Sequence, residues 1–187
     1  MHGGLMKFVF LSGSFHQRSR SLAILRNLES HFGEHQVVTL KLDDLPFYSE
    51  DLDKQKPPLV REFLAHIAAA DGLLFCTPEY NHSIPGVLKN AIDWASRPAF
   101  NSPLKDKPVS IITQAVSAVG GARAQAHLKL VLDSTLSDIQ RCHEMLLSDI
   151  DTLLGAEMKL TDERVVGRLA RHAASFIAFA HSKAERS

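Results

Sequence analysis

This chain of 187 residues has two cysteines, no formal net charge and no long apolar run. Cys76 and Cys142 lie in apolar stretches, so we expect buried free thiols in a reducing cytoplasm rather than a disulfide. Lys and Arg (21) balance Asp and Glu (21), so charge favours neither nucleic acid nor an anionic membrane as a partner. No apolar run is long enough to span a bilayer, and residues 1–4 lack a signal-peptide pattern. The sequence therefore predicts a cytoplasmic protein with a single domain over residues 1–187.

Short apolar runs alternate with helical patterns along the chain. Strands alternating with helical crossovers form a parallel sheet that is covered on both faces. The fold class predicted is therefore α/β, with a flavodoxin-like, doubly wound, five-stranded parallel sheet of order 2-1-3-4-5 and helices on both faces. The predicted strands are 6–11, 35–42, 73–76, 109–114 and 142–147. The predicted helices are 19–32, 57–70, 84–96, 121–136 and 161–181, with a loop over 43–56.

The polar stretch 12–21 joins the first predicted strand to the first predicted helix. Serine hydroxyls and the free N–H groups of a helix N-terminus suit phosphate, and Arg18 or Arg20 could add a charge-assisted bond. The alternative is that a serine here merely caps the helix. The stretch lacks both the P-loop ending and the G-x-G-x-x-G pattern, which favours one phosphate over a pyrophosphate. The candidate phosphate-binding residues are Ser14, His16, Arg18, Ser19 and Ser21.

Two further loops follow the third and fourth predicted strands. The first offers a carboxylate, a phenol and an amide without an evident acid–base partner, which suits holding a flat ring with polar edges. The second carries paired glycines, whose backbone can approach such a ring closely. The alternatives are a solvated loop and a plain turn, respectively. In a sheet of this order, the first and third strands flank the ligand crevice. The candidate residues are Pro78, Glu79, Tyr80, Asn81, Ser117, Gly120 and Gly121.

These motifs together resemble the NAD(P)H-dependent FMN reductase family. The most specific part reads PEYN at 78–81, SIPG at 83–86 and KNAIDW at 89–94. In the first loop Gly13, Ser14 and Ser19 match the family pattern, whereas His16 stands in place of its usual arginine and Ser21 in place of its frequent asparagine. We hypothesise that Arg18 compensates for the arginine missing at position 16.

The resemblance implies non-covalently bound FMN, with NADPH or NADH as co-substrate. It implies hydride transfer to a quinone-like, azo, metal-oxyanion or free flavin acceptor, without a catalytic side chain, and a homodimer or homotetramer. No metal site is expected, since Gly33 prevents His31 and His35 from sharing a helix face. The alternatives are a flavodoxin-type electron carrier and a non-catalytic flavin-binding protein. Such carriers are usually strongly acidic, and this chain is neutral.

Overall fold

The computed structural model describes residues 4–185. Residues 1–3, which belong to the segment predicted to lack a signal-peptide pattern, lie outside the described residues. All strand pairs in the described sheet are parallel, and its order is β2-β1-β3-β4-β5, with β6 also pairing with β4. This confirms the predicted flavodoxin-like topology. The strands are β1 (Lys7–Ser12), β2 (Gln36–Leu40), β3 (Gly72–Pro78), β4 (Pro108–Gln114), β5 (Asp138–Ile139) and β6 (Met145–Leu147).

Helices connect the strands and lie on both faces of the sheet. Several begin at residues suited to a helix start: Ser19 and Asp162 accept backbone N–H groups of the first turn, and Pro58 occupies a first-turn position. The helices are α1 (Arg20–Glu29), α2 (Glu50–Asp53), α3 (Pro58–Ala68), α4 (Gly86–Ala95), α5 (Ala122–Ser134), α6 (Ile150–Leu153) and α7 (Glu163–Ala184).

Alternate residues of the central strands enter two separate apolar cores. Val9 and Phe75 join the core that contains residues of α3, α4 and α5, whereas Phe10 and Leu74 join the core that contains residues of α1 and α7. This alternation follows from the two-residue repeat of a strand whose two faces are both buried. The layers hold the carboxyl ends of β1, β3 and β4 at one edge of the sheet.

The fifth strand differs from its prediction over 142–147. Two short strands, β5 and β6, pair with β4 in succession, and the segment 141–144 between them is exposed. The N–H of Gln140 still donates to the carbonyl oxygen of Val109 (2.8 Å), and its side chain accepts a hydrogen bond from Ser110 (2.7 Å); pairing with β4 stops after this residue and resumes at Met145. The expectation of two buried thiols is consequently wrong for Cys142, which is exposed, whereas Cys76 is buried in β3; both are free.

The segment predicted as a loop over 43–56 contains α2. Ser49 begins this short helix by accepting the N–H of Asp51 (3.3 Å), and acidic residues fill its first turn. Carboxylates at a helix N-terminus are favourable because of the helix dipole. Among residues 4–185, none of the helices is both long enough and apolar enough to cross a membrane.

Candidate active site

A cavity of about 280 Å³ lies where the loops after β1, β3 and β4 meet. Each loop was expected to bind the cofactor, and the parallel topology brings all three to the same edge of the sheet. The lining residues come from the three loops and from the start of α1. They are Ser14, His16, Arg20, Pro78, Glu79, Tyr80, Gln114, Ala115, Val116 and Ser117.

The loop after β1 is seated directly on the end of β3. The N–H of Gly13 donates to the carbonyl oxygen of Cys76 (2.9 Å), and a Cβ at position 13 would lie 2.1 Å from Oγ1 of Thr77. The hydroxyls of Ser12 and Ser19 both donate to the carbonyl oxygen of Ser14, at 2.6 and 3.0 Å. Only glycine fits this contact, and the serines hold the loop in a fixed path.

This arrangement leaves backbone donors without partners. Within residues 4–185, the N–H groups of Phe15, His16, Gln17 and Arg18 have no hydrogen-bond acceptor. They precede the N-terminus of α1, where the helix dipole adds a partial positive charge. A run of free N–H groups before a helix provides the donors that a phosphate group requires.

Arg20, the first residue of α1, has a side chain that lines the cavity. Its Nε and Nη2 donate to the two carboxylate oxygens of Asp151 in α6, at 2.5 and 2.8 Å. The hydrogen bond to Asp151 raises the pKa of Arg20 despite partial desolvation, and the charges of Asp151 and Tyr80 act in the same direction. The guanidinium is thus held in one position at the wall that also contains His16, with its charge balanced by Asp151 and its remaining N–H groups unpaired among the described residues.

Three of the predicted phosphate-binding side chains lie elsewhere. The hydroxyl of Ser19 accepts the N–H of Leu22 (3.2 Å), as the capping alternative states. Ser21 is fully buried, and its hydroxyl accepts Nε2 of Gln114, because the inner face of α1 packs on the sheet there. It therefore does not offer a hydroxyl to the cavity. Arg18 is exposed, and its guanidinium approaches the sulfur of Met158 (3.9 Å) instead of the cavity.

Glu79 connects the second loop to α5. Its carboxylate accepts the backbone N–H groups of Arg123 (3.1 Å) and Ala124 (3.4 Å), and it forms an ion pair with the Arg123 guanidinium at 2.5 Å. Desolvation raises the pKa of Glu79, but the hydrogen bonds from Arg123 and Ala124 outweigh it and lower the pKa. The carboxylate therefore fixes the position of the loop at the cavity wall. Asn81 is exposed and has φ of 49° in a tight turn closed by Tyr80 and Ser83.

Backbone conformation and close packing explain why positions 120 and 121 of the third loop are glycine. Gly120 and Gly121 have φ of 63° and 81°. A Cβ at position 120 would lie 2.9 Å from Oγ of Ser148, and one at position 121 would lie 3.0 Å from Cβ of Thr113. Both glycines are buried outside the cavity lining, whereas Ser117 of the same loop reaches it. The turn alternative thus accounts for the glycines.

Sequence reasoning missed Gln114, Ala115 and Val116 as cavity residues. Gln114 is the last residue of β4 and of the predicted strand, and Ala115 and Val116 lie between that strand and the predicted loop at Ser117. Because ligands bind beyond the carboxyl ends of such strands, starting the candidate loop at the strand end would have included them.

A parallel sheet of this order, with a cavity bordering the junction of β1 and β3, defines a flavodoxin-like fold with a ligand-sized crevice at its switch point. The family model described as NADPH-dependent FMN reductase matches residues 6–142. The chain belongs to the NADPH-dependent FMN reductase family. The predicted class of enzyme, an oxidoreductase with FMN as cofactor and NAD(P)H as co-substrate, is confirmed at this level.

Individual relatives agree with this membership. An NAD(P)H-dependent FMN reductase of Pseudomonas aeruginosa is 37% identical over 163 residues, which cover 85% of this chain and 86% of that protein. A 2-hydroxy-1,4-benzoquinone reductase of Burkholderia is 56% identical over 85 residues, which span only 46% of either protein. FerB, a flavoenzyme NAD(P)H:(acceptor) oxidoreductase from Paracoccus denitrificans, superposes with a TM-score of 0.88 at 29% identity, covering 96% of this chain and 99% of FerB.

The residues present fit FMN. The free N–H groups of 15–18, with Arg20 and His16 beside them, match a phosphate dianion. The wall formed by Pro78, Tyr80 and 114–117 offers apolar surface with a few polar groups at its edge, as binding sites for planar cofactors do. Among residues 4–185, no cluster of three His, Cys, Asp or Glu side chains is arranged to hold a metal ion.

Proposed function

We propose that this protein reduces small quinone-like acceptors with NAD(P)H, using FMN bound at the cavity between the loops after β1, β3 and β4. The observation that carries the proposal is the convergence of these loops on one cavity, whose lining combines the basic side chains of His16 and Arg20 with apolar residues such as Pro78 and Val116. When bound, FMN supplies the two-electron chemistry. The side chains of the chain bind and orient it, and we assign none of them an acid–base step.

The phosphate end of the proposed site consists of the loop 14–18 with Arg20. The free N–H groups of this loop would donate to phosphate oxygens, and the Arg20 guanidinium, whose Nε and Nη2 bind Asp151, would offer its remaining donors. His16 lines the same wall and replaces the family arginine at its own position. Of the phosphate-binding residues proposed from the sequence, Ser14 and His16 stay in our proposed phosphate site, whereas the buried Ser21 does not.

The ring end of the proposed site consists of 78–80 and 114–117. Tyr80 is 51% exposed and Val116 62% exposed, so the wall that they form faces solvent. An open wall allows a nicotinamide and then an acceptor to approach the same reactive face in turn. The named activity of the Burkholderia relative, a 2-hydroxy-1,4-benzoquinone reductase, supports a quinone-like acceptor, and the description of the Paracoccus flavoenzyme leaves its acceptor unspecified.

The test of this function uses the purified full-length protein saturated with FMN. We expect a flavin absorbance band that bleaches in an anaerobic NADPH or NADH titration and returns when benzoquinone is added. Steady-state rates with benzoquinone, an azo dye, chromate and free FMN then rank the acceptors. A band that NAD(P)H does not bleach would contradict the proposal and favour an electron carrier. A protein that never takes up FMN would contradict the site itself.

The role of Arg20 can be separated from that of Arg18, which carries the same charge two residues earlier in the chain but lies outside the cavity. Loss of a charge-assisted hydrogen bond weakens binding by roughly tenfold. We expect Arg20→Gln to reduce FMN affinity by about this factor and Arg18→Gln by less than about twofold, measured by quenching of flavin fluorescence.

Riboflavin is the ligand control for this experiment, because it has the same ring without the phosphate. Its affinity should be equal in the unsubstituted protein and in Arg20→Gln. A greater loss of FMN affinity in Arg18→Gln would restore the sequence-based hypothesis for Arg18. An equal loss for riboflavin and FMN in Arg20→Gln would show that Arg20 does not act on the phosphate.

The expected homodimer or homotetramer and the cytoplasmic location stay predictions. Light scattering on the FMN-loaded protein tests the first, and a monomer would contradict it. Cell fractionation with an antibody against the protein tests the second.

A further inference from the structure

A second cavity of about 470 Å³ lies at the edge of the sheet, between α7 and the segment that separates β5 from β6. Arg168, Arg171 and His172 line it from the helix, and Met145 lines it from the sheet. It shares no lining residue with the cavity assigned to FMN. Its volume falls in the range of small-molecule sites.

Cationic groups dominate the rim of this second cavity. Arg168 and Arg171 lie three residues apart on α7, on the same side of the helix. Neither forms an ion pair within residues 4–185, and the contact of Arg168 with the carbonyl oxygen of Leu146 is long, at 3.5 Å. The carboxylate in the wall, that of Glu144, binds Nζ of Lys129 at 2.6 Å. Two guanidinium groups are therefore available to an anion.

His172 is fixed by a chain of hydrogen bonds beneath the cavity. The hydroxyl of Ser110 donates to Oε1 of Gln140 (2.7 Å), and Nε2 of Gln140 donates to Ser175 (2.9 Å). In this orientation of the Gln140 amide the single proton of the Ser110 hydroxyl goes to Oε1, so Nε2 of His172 at 2.8 Å is the donor in its own contact with that hydroxyl. The ring is thereby held in the tautomer with a proton on Nε2.

This tautomer leaves Nδ1 of His172 as an acceptor. In the described chain Nδ1 has no hydrogen-bond partner, and it is absent from the buried unpartnered atoms, so it reaches the solvent of the cavity that the ring lines. Burial lowers the pKa of His172 to about 4, and the charge of Arg168 acts in the same direction. The imidazole is therefore neutral near neutral pH and accepts a hydrogen bond there.

We propose that this cavity binds a small organic anion that also carries a hydrogen-bond donor, such as a hydroxylated aromatic carboxylate. The guanidinium groups of Arg168 and Arg171 bind the anionic group, and Nδ1 of His172 accepts a hydrogen bond from the donor. Met145 and the aliphatic parts of the arginines contact the apolar body of the ligand. The site is separate from the FMN cavity and does not depend on the proposed reaction.

The test measures binding of 4-hydroxybenzoate to the FMN-loaded full-length protein by calorimetry and by amide chemical shifts. Benzoate removes the hydroxyl, and phenol removes the carboxylate, so each ligand tests one half of the site without altering the buried network. We expect one site, with benzoate and phenol each binding roughly tenfold more weakly. The shifts should fall in 142–145 and 168–175.

The matched variants are Arg171→Gln in the cavity and Arg164→Gln on the same helix, where Arg164 is paired with Asp162 outside the cavity. We expect roughly tenfold weaker binding of 4-hydroxybenzoate to Arg171→Gln and unchanged binding to Arg164→Gln. Equal losses in the two variants, no binding at all, or shifts confined to the loops of the FMN cavity would each overturn the proposal. Equal affinity for benzoate and 4-hydroxybenzoate would overturn the role of His172.

Discussion

His172 is held neutral in a buried network, and its replacement should remove a measurable part of the acid sensitivity of this protein. Burial, assisted by Arg168, lowers its pKa from 6.5 to about 4 in the folded state. Between these values the unfolded chain binds a proton that the folded chain does not. The stabilisation is fully present above about pH 6.5 and is lost as the pH falls towards the folded pKa of about 4.

The magnitude follows from the two pKa values. At about pH 5, proton binding to the unfolded state outweighs proton binding to the folded state by about 2 kcal/mol. The charged and titratable groups near the ring are those of the cavity wall, namely Arg168, Arg171, Cys142, His143 and Glu144. All of them remain in the variant His172→Gln, so a comparison of pH dependences isolates the contribution of the imidazole.

The assay is urea unfolding near pH 7 and near pH 5, with the same excess of FMN in every sample. Between these pH values the unsubstituted protein should lose about 2 kcal/mol more of its free energy of unfolding than His172→Gln loses. His143→Gln removes an exposed imidazole from the rim of the same cavity. This variant should lose as much free energy of unfolding between the two pH values as the unsubstituted protein does. If the unsubstituted protein and His172→Gln lost the same free energy of unfolding between pH 7 and pH 5, the assignment of a buried, neutral imidazole would be refuted.

Three other predictions follow from the structure. Glu79→Gln should lower the free energy of unfolding by about 1–2 kcal/mol in denaturant titrations, since its carboxylate is 8% exposed and accepts two backbone N–H groups; an unchanged midpoint would contradict this. In the native protein a maleimide should label Cys142 and spare Cys76, whose pKa burial raises to about 12, and labelling of both before unfolding would show that β3 opens. Gly121→Ala should cost about 1–2 kcal/mol because of its φ of 81° and the close Thr113, whereas Gly86→Ala, with open space around it, should be neutral or slightly stabilising; similar melting temperatures for the two variants would contradict the reasoning.

Much of the fold was predictable because the signals that specify it are local. The apolar runs at 6–11, 73–76 and 109–114 became β1, β3 and β4 with ends shifted by no more than two residues. The fifth strand was mispredicted because its pairing with β4 stops after Gln140, whose side chain contacts Ser110 of β4, and resumes only at Met145. A pattern confined to neighbouring residues carries no signal for such a contact.

The candidate site was predictable at the level of loops rather than of side chains. Ser14, His16, Tyr80 and Ser117 line the cavity, as expected for polar residues just beyond the strand ends. The sequence named both Arg18 and Arg20 but could not decide which of them lines the cavity, because the position of Arg20 depends on Asp151, which lies 131 residues further along the chain. Distant partners of this kind decide which of two neighbouring arginines faces the cavity.

The sequence alone determined the order of strands and the edge at which the ligand loops meet, because alternation of buried runs with helical patterns leaves few possible topologies. The tertiary structure alone decided the task of each polar side chain at that edge: Arg20 at the cavity wall, Ser21 in the core and Glu79 on the start of α5. The physical reason is the separation along the chain over which each kind of interaction acts. Periodicity acts between neighbours in the chain, whereas the direction of a charged side chain is set by whichever opposite charge folding brings near.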